Sequence, residues 1–231
     1  MIDFHSHILP MMDDGSKSVE ESLDMLRMLS EQGVKRVVAT PHFYANDESV
    51  DDFLKRRAES FERLKGHLTD DLPEILLGAE VKYYNGISRM DGIRKLTVEN
   101  SRLLLLEMSA VKWTEYVVNE LIELSNLGDI TVVLAHIERY LFVQSRAVQR
   151  RLLDSDILMQ CNAEFFTGTL SKMKALKLLG NMDIQLIGSD CHNTSDRKPR
   201  IGDAIERIVA KFGRGFYKQL VEFENSLFLR T

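Results

Sequence analysis

Short apolar runs alternate with segments of helical periodicity along nearly the whole chain. Seven of these runs are interpreted as strands, at residues 2–5, 35–40, 75–80, 102–107, 131–136, 157–162 and 184–189. The fourth contains four consecutive leucines, an unbroken apolar stretch typical of a strand that is covered on both faces. Strands that alternate with helices form parallel sheets. The sequence therefore predicts an α/β fold in which seven parallel strands form a closed or nearly closed barrel.

The segments between the strands carry the start and stop signals of helices. Ser16 or Ser18 is the expected N-cap of the first helix, and Gly33 is expected to end it. Further helices are predicted at about residues 49–68, 114–127, 147–153, 171–179, 201–211 and 215–229. Only four prolines and no low-complexity linker interrupt the 231 residues, so residues 1–231 are expected to form one domain.

Five of the six histidines lie at or just beyond the end of a predicted strand. These five are His5, His7, His42, His136 and His192. Side chains alternate along a strand, so the pair His5 and His7 is expected to face one side of an extended segment. The sixth histidine, His67, lies within a predicted helix and is expected to face solvent.

Carboxylates occupy the equivalent positions on other strands. Glu80 and Glu107 close the third and fourth strands, Asp190 follows the seventh, and Asp14 lies just beyond the first pair of histidines. In an alternating β/α chain, residues at strand ends converge on one face. Imidazole and carboxylate groups together suit zinc, manganese or iron. These nine side chains therefore predict a multinuclear metal site.

Two arginines follow the predicted ligands closely. Arg139 comes three residues after His136, and Arg197 comes five residues after His192. A guanidinium group binds two oxygens of a phosphate in a planar arrangement, so arginines beside a metal cluster predict phosphate chemistry. The alternative for each arginine taken alone is a surface ion pair.

The overall charge and the cysteine content narrow the classes of partner. A net charge of -5 and a pI near 5.7 argue against nucleic acid bound through a basic surface. The two cysteines, Cys161 and Cys191, are too few for a disulfide framework and fit a reducing compartment. Neither a signal peptide nor an apolar run of membrane-spanning length is evident. A cytoplasmic enzyme without membrane insertion is expected.

Eight short motifs contain most of these residues. They are DFHSHILP at 3–10, DDG at 13–15, ATPH at 39–42, GAE at 78–80, LE at 106–107, AHIERY at 135–140, QCNA at 160–163 and GSDCHN at 188–193. Together they resemble the polymerase and histidinol phosphatase (PHP) superfamily, and more narrowly its bacterial tyrosine-protein phosphatases of capsule and exopolysaccharide operons. Ile137 stands where relatives usually have proline. Glu164 and Phe165 replace small residues, and Glu164 adds a carboxylate near the mouth of the site.

The resemblance implies a distorted (β/α)7 TIM-like barrel with a metal cluster at the C-terminal ends of the strands. It also implies three divalent metal ions, either manganese or iron, with zinc as the alternative. By matched position, the three ligand sets are His5, His7, Glu80 and Asp190; Glu80, Glu107 and His136; and Asp14, His42 and His192. The same resemblance makes Arg139 and Arg197 phosphate clamps.

The implied activity is that of a protein-tyrosine phosphatase, a phosphoric monoester hydrolase. A hydroxide shared by the metals would attack phosphorus in line, while Arg139 and Arg197 neutralise the phosphate oxygens. His42 is the candidate for assisting departure of the tyrosyl group; the alternative is coordination by a metal, with a proton from water. By family analogy, the substrate is a bacterial tyrosine kinase that controls capsule or exopolysaccharide synthesis.

Three other interpretations are open. Cys191 and Arg197 match the Cys-x5-Arg spacing of cysteine-dependent phosphatases, which would make Cys191 a thiolate nucleophile. A second interpretation is another PHP-type phosphoesterase, either a histidinol phosphatase or a nuclease. The third is a non-catalytic, metal-stabilised module that binds a phosphorylated partner.

Overall fold

Residues 1–228, the part of the chain that the computed structural model describes, alternate nine short strands with six α-helices. The strands are β1 (Ile2–Ser6), β2 (Arg36–Ala39), β3 (His42–Phe43), β4 (Glu74–Leu77), β5 (Glu80–Lys82), β6 (Leu103–Glu107), β7 (Thr131–Leu134), β8 (Leu158–Asn162) and β9 (Leu186–Gly188). The helices are α1 (Val19–Glu31), α2 (Val50–Lys65), α3 (Glu115–Ser125), α4 (Arg146–Leu153), α5 (Ser171–Gly180) and α6 (Ile201–Ser226). The predicted ends of the last helix at residue 229 and of the domain at residue 231 lie outside the described residues.

The strands form two parallel sheets that curl around a common apolar interior. One sheet has the order β1-β2-β4, and the other has the order β3-β5-β6-β7-β8-β9. The end of β1 also lies against the segment after β9: the amide of Asp190 donates to His5 O at 2.8 Å, and the amide of His7 donates to Cys191 O at 2.9 Å. The architecture is therefore an α/β fold with a curled parallel sheet, in agreement with the predicted class.

Two breaks in the strands lie side by side in the structure. β3 follows β2 after Pro41, and the predicted strand 75–80 is divided into β4 and β5 around Gly78. Pro41 has no amide hydrogen to donate to a ladder. At Gly78, a Cβ atom would lie only 3.2 Å from Val38 Cγ1. β2 pairs with β4, and β3 pairs with β5, so residues 1–228 form nine strands where seven were predicted. The prediction of one unbroken strand over residues 75–80 is wrong.

Alternate residues of the strands pack into two apolar layers. Along β6, Leu103 and Leu105 belong to an interior cluster that also contains Ile2, Phe4, Val38, Leu76, Val133 and Leu186. Leu104 and Leu106 belong to the larger core that includes the helices. Burial of each leucine side chain stabilises the fold by about 1.5–3 kcal/mol. The predicted burial of this run on both faces is confirmed, and the inner layer lies on the N-terminal side of the ligand-type residues.

The helix ends described below follow the signals in the sequence. Ser18 is the N-cap of α1, since its hydroxyl accepts a hydrogen bond from the amide of Glu21 at 3.2 Å, and Gly33 follows the helix with φ 81°. The predicted division between helices 201–211 and 215–229 is confirmed within the range of α6, because Gly213, with φ 83° and ψ 169°, is not helical and separates two helices. Only glycine adopts this conformation readily. Helical residues lie directly before and after Gly213. Within residues 1–228, no helix combines the length and the apolar character needed to cross a membrane.

Candidate metal centre

The carboxylate of Glu80 lies at the centre of a group of imidazoles at the C-terminal ends of the strands. Its Oε2 atom is 3.2 Å from His5 Nε2 and 3.3 Å from His7 Nε2. The same oxygen is 3.0 Å from His42 Nδ1, and the Oε1 atom is 2.8 Å from His136 Nε2. The register between β3 and β5 places His42 directly opposite Glu80. A buried carboxylate is costly unless it is paired, and Glu80 is paired on all sides by nitrogen atoms.

His5 and His7 converge as the alternation along β1 predicts. Their Nε2 atoms are 3.2 Å apart. Asp190 approaches the same point from the segment after β9, with its Oδ1 atom 3.7 Å from each of these nitrogens. Both nitrogens and the carboxylate oxygen therefore face one point, as ligands of a single cation do.

A second group of ligand atoms lies around Asp14. Its Oδ1 atom is 3.5 Å from His42 Nε2 and 3.4 Å from His192 Nε2. The Nδ1 atom of His192 donates to the carbonyl of Asp190 at 2.9 Å, which leaves Nε2 facing Asp14. A ligand atom of His7 lies within 4.8 Å of the ligand atoms of all three residues. This group is therefore larger by one histidine than the set implied by the family resemblance.

Glu107 lies at the edge of the cluster. Its Oε1 atom is 3.8 Å from His136 Nε2, and its Oε2 atom pairs with Lys82 Nζ at 3.0 Å. Glu107, Glu80 and His42 also offer ligand atoms within 4.8 Å of one another. Because neighbouring groups share residues, the structure brings all nine predicted ligands into one continuous cluster.

Asp13 is a site residue that the sequence analysis missed. Its Oδ2 atom accepts hydrogen bonds from His7 Nδ1 at 2.7 Å and from the amide of His42 at 2.9 Å. Its Oδ1 atom accepts from the amide of Gly15 at 2.9 Å, as an aspartate in a turn does. The bond to Nδ1 fixes the tautomer of His7 with Nε2 facing the cluster.

Replacing Asp13 by asparagine should weaken metal binding without unfolding the protein. Loss of a carboxylate that orients a ligating histidine typically lowers metal affinity by about 10–100-fold. Titration of the chelated protein with Mn²⁺ measures this change, and Asp24→Asn at an exposed position of α1 is the control. Equal Mn²⁺ affinity in Asp13→Asn and the wild type would remove Asp13 from the metal centre.

Two residues of the cluster have backbone conformations that are unusual outside glycine. His136 has φ 33° and Asp190 has φ 52°. Such left-handed conformations cost about 1–3 kcal/mol each and persist only where the surroundings stabilise them. The side chain of Gln160 accepts from the amide of His136 at 2.7 Å, while the amide of Asp190 is held by the carbonyl of His5. Gln160 is thus a second site residue that the sequence analysis missed.

The charges of the cluster stabilise one another. Burial raises the pKa of Glu80, but the charge of His5 and the hydrogen bond from His136 outweigh it and hold this pKa well below its ordinary value. Burial lowers the pKa of His7, yet hydrogen bonds to the Asp13 and Glu80 carboxylates raise it to about 10. The centre of the cluster therefore favours positive charge, which a divalent cation also supplies.

Several buried imidazole nitrogens are suited to metal binding because they lack other partners. His42 Nδ1, His136 Nδ1 and His192 Nε2 are buried and take part in no hydrogen bond among residues 1–228. His42 Nδ1 lies near Glu80, but without hydrogen-bond geometry. A buried polar atom left in this way costs about 1–3 kcal/mol. His42 Nδ1 and His192 Nε2 face the carboxylates of Glu80 and Asp14 and so fit a group of divalent cations, whereas His136 faces the cluster with Nε2.

Both predicted arginines lie beside the cluster. The Nη2 atoms of Arg139 and Arg197 donate to the carboxylate of Asp190, the latter at 3.0 Å. Asn193 shapes the turn that returns Arg197 to the site, since its Oδ1 atom accepts from the amide of Arg197 at 3.0 Å. A small cavity of about 50 Å³ is lined by both arginines, Asp190 and Glu164, and this cleft is called the catalytic cavity below.

The structure contradicts a thiolate nucleophile at Cys191. This residue is fully buried, and burial raises the pKa of its thiol well above the ordinary value. Cys161 is buried in the same way, with the same effect on its pKa. A nucleophilic cysteine needs an accessible thiol of lowered pKa, so the Cys-x5-Arg match is accidental.

The chain is similar in sequence to known tyrosine-protein phosphatases. The family described as "Capsular polysaccharide synthesis, CpsB/CapC" matches residues 1–229. The chain is 33% identical over 241 aligned positions to the tyrosine-protein phosphatase CpsB of Streptococcus pneumoniae, covering 95% of this chain and 94% of that protein. It is 27% identical to the tyrosine-protein phosphatase YwqE of Bacillus subtilis, covering 96% of this chain and 89% of that protein.

Solved structures show the same fold. One solved structure comes from work on YwqE of B. subtilis and CpsB of S. pneumoniae, which it describes as unique metal-dependent tyrosine phosphatases. That structure has a TM-score of 0.83 at 24% identity over 98% of this chain and 94% of that chain. The histidinol phosphate phosphatase of Lactococcus lactis has a TM-score of 0.55 at 13% identity over 95% of this chain and 93% of that chain. The resemblance predicted from the motifs is confirmed: the chain belongs to the CpsB/CapC family of capsular polysaccharide synthesis proteins.

Proposed function

We propose that the chain is a metal-dependent protein-tyrosine phosphatase, a phosphoric monoester hydrolase. One arrangement carries the proposal: two half-exposed arginines reach the edge of a cluster of nine side chains of the types that bind metals. The 33% identity to the tyrosine-protein phosphatase CpsB of S. pneumoniae supports it. Arginine donors suit the planar binding of phosphate oxygens, and cations beside them favour attack on phosphorus.

The proposed metal content is three divalent ions, either manganese or iron, with zinc as the alternative. The proposed ligand sets are His5, His7, Glu80 and Asp190; Glu80, Glu107 and His136; and Asp14, His42 and His192. The short distances from Glu80 to His5 and His136 support its place in two sets. When bound, such ions lower the pKa of coordinated water and polarise the phosphoryl group.

The proposed roles of the chain's own residues follow from their exposure and contacts. Arg139 and Arg197 bind the phosphate oxygens, because each guanidinium group has five N–H donors and is only partly occupied by Asp190. They also offset the charge that redistributes during phosphoryl transfer. His42 is the candidate for assisting departure of the tyrosyl oxygen; the alternative, which its place among the proposed ligands favours, is coordination of that oxygen by a metal with a proton from water. The conjugate acid of the tyrosyl oxygen has a pKa of about 10, so its departure needs little protonation.

Three broader proposals go with this activity. The substrate is a phosphotyrosine protein, namely a bacterial tyrosine kinase that controls capsule or exopolysaccharide synthesis; the family description supports the link to capsular polysaccharide synthesis. The setting is the cytoplasm, since the two cysteines are free and buried as in proteins of reducing compartments. The described residues 1–228 belong to one PHP-type domain, a distorted (β/α)7 barrel, and the contact between β1 and the segment after β9 supports the closed form.

Removal of metal should abolish hydrolysis of a phosphotyrosyl peptide, and Mn²⁺ should restore it. The expected loss is on the order of 100-fold or more, because bound ions contribute several kcal/mol to stabilisation of the transition state. Cys191→Ser should stay active, since the thiol is buried and has no part in the proposed reaction. Initial rates, with metal content measured on the same samples, check both expectations.

The same assay separates the other interpretations. Activity that persists in protein shown to be free of metal, and that disappears in Cys191→Ser, would refute the metal-dependent mechanism. Faster turnover of histidinol phosphate or single-stranded DNA than of the peptide would favour another phosphoesterase of the PHP type. Binding of the phosphopeptide without turnover by fully metal-loaded protein would favour a non-catalytic module.

A further inference from the structure

A surface groove begins where the catalytic cavity ends. The groove has a volume of about 510 Å³ and lies between residues 28–32 at the end of α1 and residues 200–206 at the start of α6. It shares the lining residues Lys198 and Arg200 with the catalytic cavity. The two cavities therefore adjoin at Lys198 and Arg200, so a polypeptide whose phosphate lies beside Asp190 has the groove next to it.

The floor of the groove is held in place by one side chain. Gln32 at the end of α1 donates from Nε2 to the carbonyl of Pro199 at 3.0 Å, and its Oε1 atom accepts from the amide of Gly202 at 2.9 Å. Half-buried Met28 and Ile205 add apolar surface on either side. The groove is thus preformed, and a ligand that binds in it does not have to order its walls.

The groove carries side chains of opposite charge. Lys198, at the boundary with the catalytic cavity, is exposed and has no ion-pair partner among residues 1–228, whereas Arg200 pairs with Asp203 at 2.9 Å. Glu31 and Glu206 line only the groove; both are exposed and unpaired within the described chain. The groove therefore presents cationic side chains where it shares its lining with the catalytic cavity and unpaired carboxylates where it does not.

We propose that this groove binds the polypeptide next to the phosphotyrosine of the substrate protein. It favours an acidic residue close to the phosphotyrosine, facing Lys198, and a basic residue further along, facing Glu31 and Glu206. The volume of the groove is in the range of ligand-binding clefts, and an isolated aryl phosphate has no polypeptide to place in it. This proposal rests on the proposed phosphatase activity and adds a determinant of substrate choice to it.

Two phosphotyrosyl peptides of identical composition test the proposal together with p-nitrophenyl phosphate. The first has aspartates next to the phosphotyrosine and lysines four residues away on both sides; the second has these positions exchanged. At low salt, metal-loaded wild-type protein should show roughly tenfold higher kcat/KM for the first peptide, mainly through KM. The double variant Glu31→Lys/Glu206→Lys should bring this ratio to one or below, while kcat/KM for p-nitrophenyl phosphate stays unchanged.

A matched variant controls for the change in net charge. Glu59→Lys/Glu123→Lys alters exposed glutamates on α2 and α3 that line neither cavity, and it should keep the wild-type ratio. Equal kcat/KM for the two peptides would overturn the groove proposal. A ratio that the groove variant leaves unchanged, or that the control shifts equally, would overturn it as well. Absence of hydrolysis of all three substrates would instead overturn the phosphatase function, and the groove proposal with it.

Discussion

Replacing Glu80 by glutamine should lower kcat/KM for a phosphotyrosyl peptide by on the order of 1,000-fold, equivalent to about 4 kcal/mol. The carboxylate is within 3.3 Å of nitrogen atoms from four histidines, so its charge affects the whole cluster. Glutamine has one acceptor oxygen in place of two and turns an NH₂ group toward nitrogens or cations. Metal content per protein should therefore fall together with activity.

A second buried glutamate provides the control for this change. Glu120 is 3% exposed and accepts hydrogen bonds from Tyr83 Oη at 2.6 Å and from the amide of Gly86 at 2.8 Å, away from the nine ligands. Glu120→Gln should lower thermal stability but leave metal content and turnover per folded molecule unchanged. Full metal content and near wild-type turnover in Glu80→Gln would show that Glu80 is not a shared ligand.

The recurrence of ligand-type residues at strand ends was enough to predict the nine members of the cluster, but not the side chains that orient them. Asp13 illustrates the reason, since Asp-Asp-Gly is a common turn sequence and one oxygen of Asp13 does bind the amide of Gly15. Its other oxygen holds His7, a contact that depends on where β1 ends relative to the turn. Gln160 is an amide without ligand character, and its role depends on the pairing of β8 with its neighbours.

In the fold, too, features that depend on one segment could be predicted from the sequence, whereas features that depend on distant segments could not. Apolar runs identify β6 and β7 to within about two residues because their burial is a property of each strand. At Gly78, where the strand is broken, a Cβ atom would lie 3.1 Å from Val98 Cγ2 and 3.2 Å from Val38 Cγ1, and periodicity carries no sign of this crowding by residues distant in the chain. The contact between His5 and Asp190 is expected from the predicted barrel and from the family resemblance, but the hydrogen bond from the amide of Asp190 to the carbonyl of His5 depends on tertiary packing.

Replacing Gly188 by alanine should damage both the fold and the metal centre. A Cβ atom at this position of β9 would lie 2.5 Å from His5 Cβ, 2.8 Å from Gln160 Nε2 and 2.9 Å from His5 N. Overpacking of this kind costs about 1–3 kcal/mol, and each kcal/mol lowers Tm by about 2–4 °C in a domain of this size. Since relief of the clash has to move His5, turnover should fall by about 100-fold, the effect of roughly 1 Å of misplacement.

A glycine in open surroundings separates this steric effect from the general effect of adding a methyl group. Gly215 lies in α6, and a Cβ atom there has nothing within 4 Å. Gly215→Ala should therefore raise stability by about 0.5–1 kcal/mol, because alanine loses less conformational freedom in a helix. Thermal melts and kcat/KM of both variants, measured with metal content, check the comparison. If Gly188→Ala kept wild-type Tm and turnover, β1 and β9 would have to be less closely packed beside the cluster than these distances require.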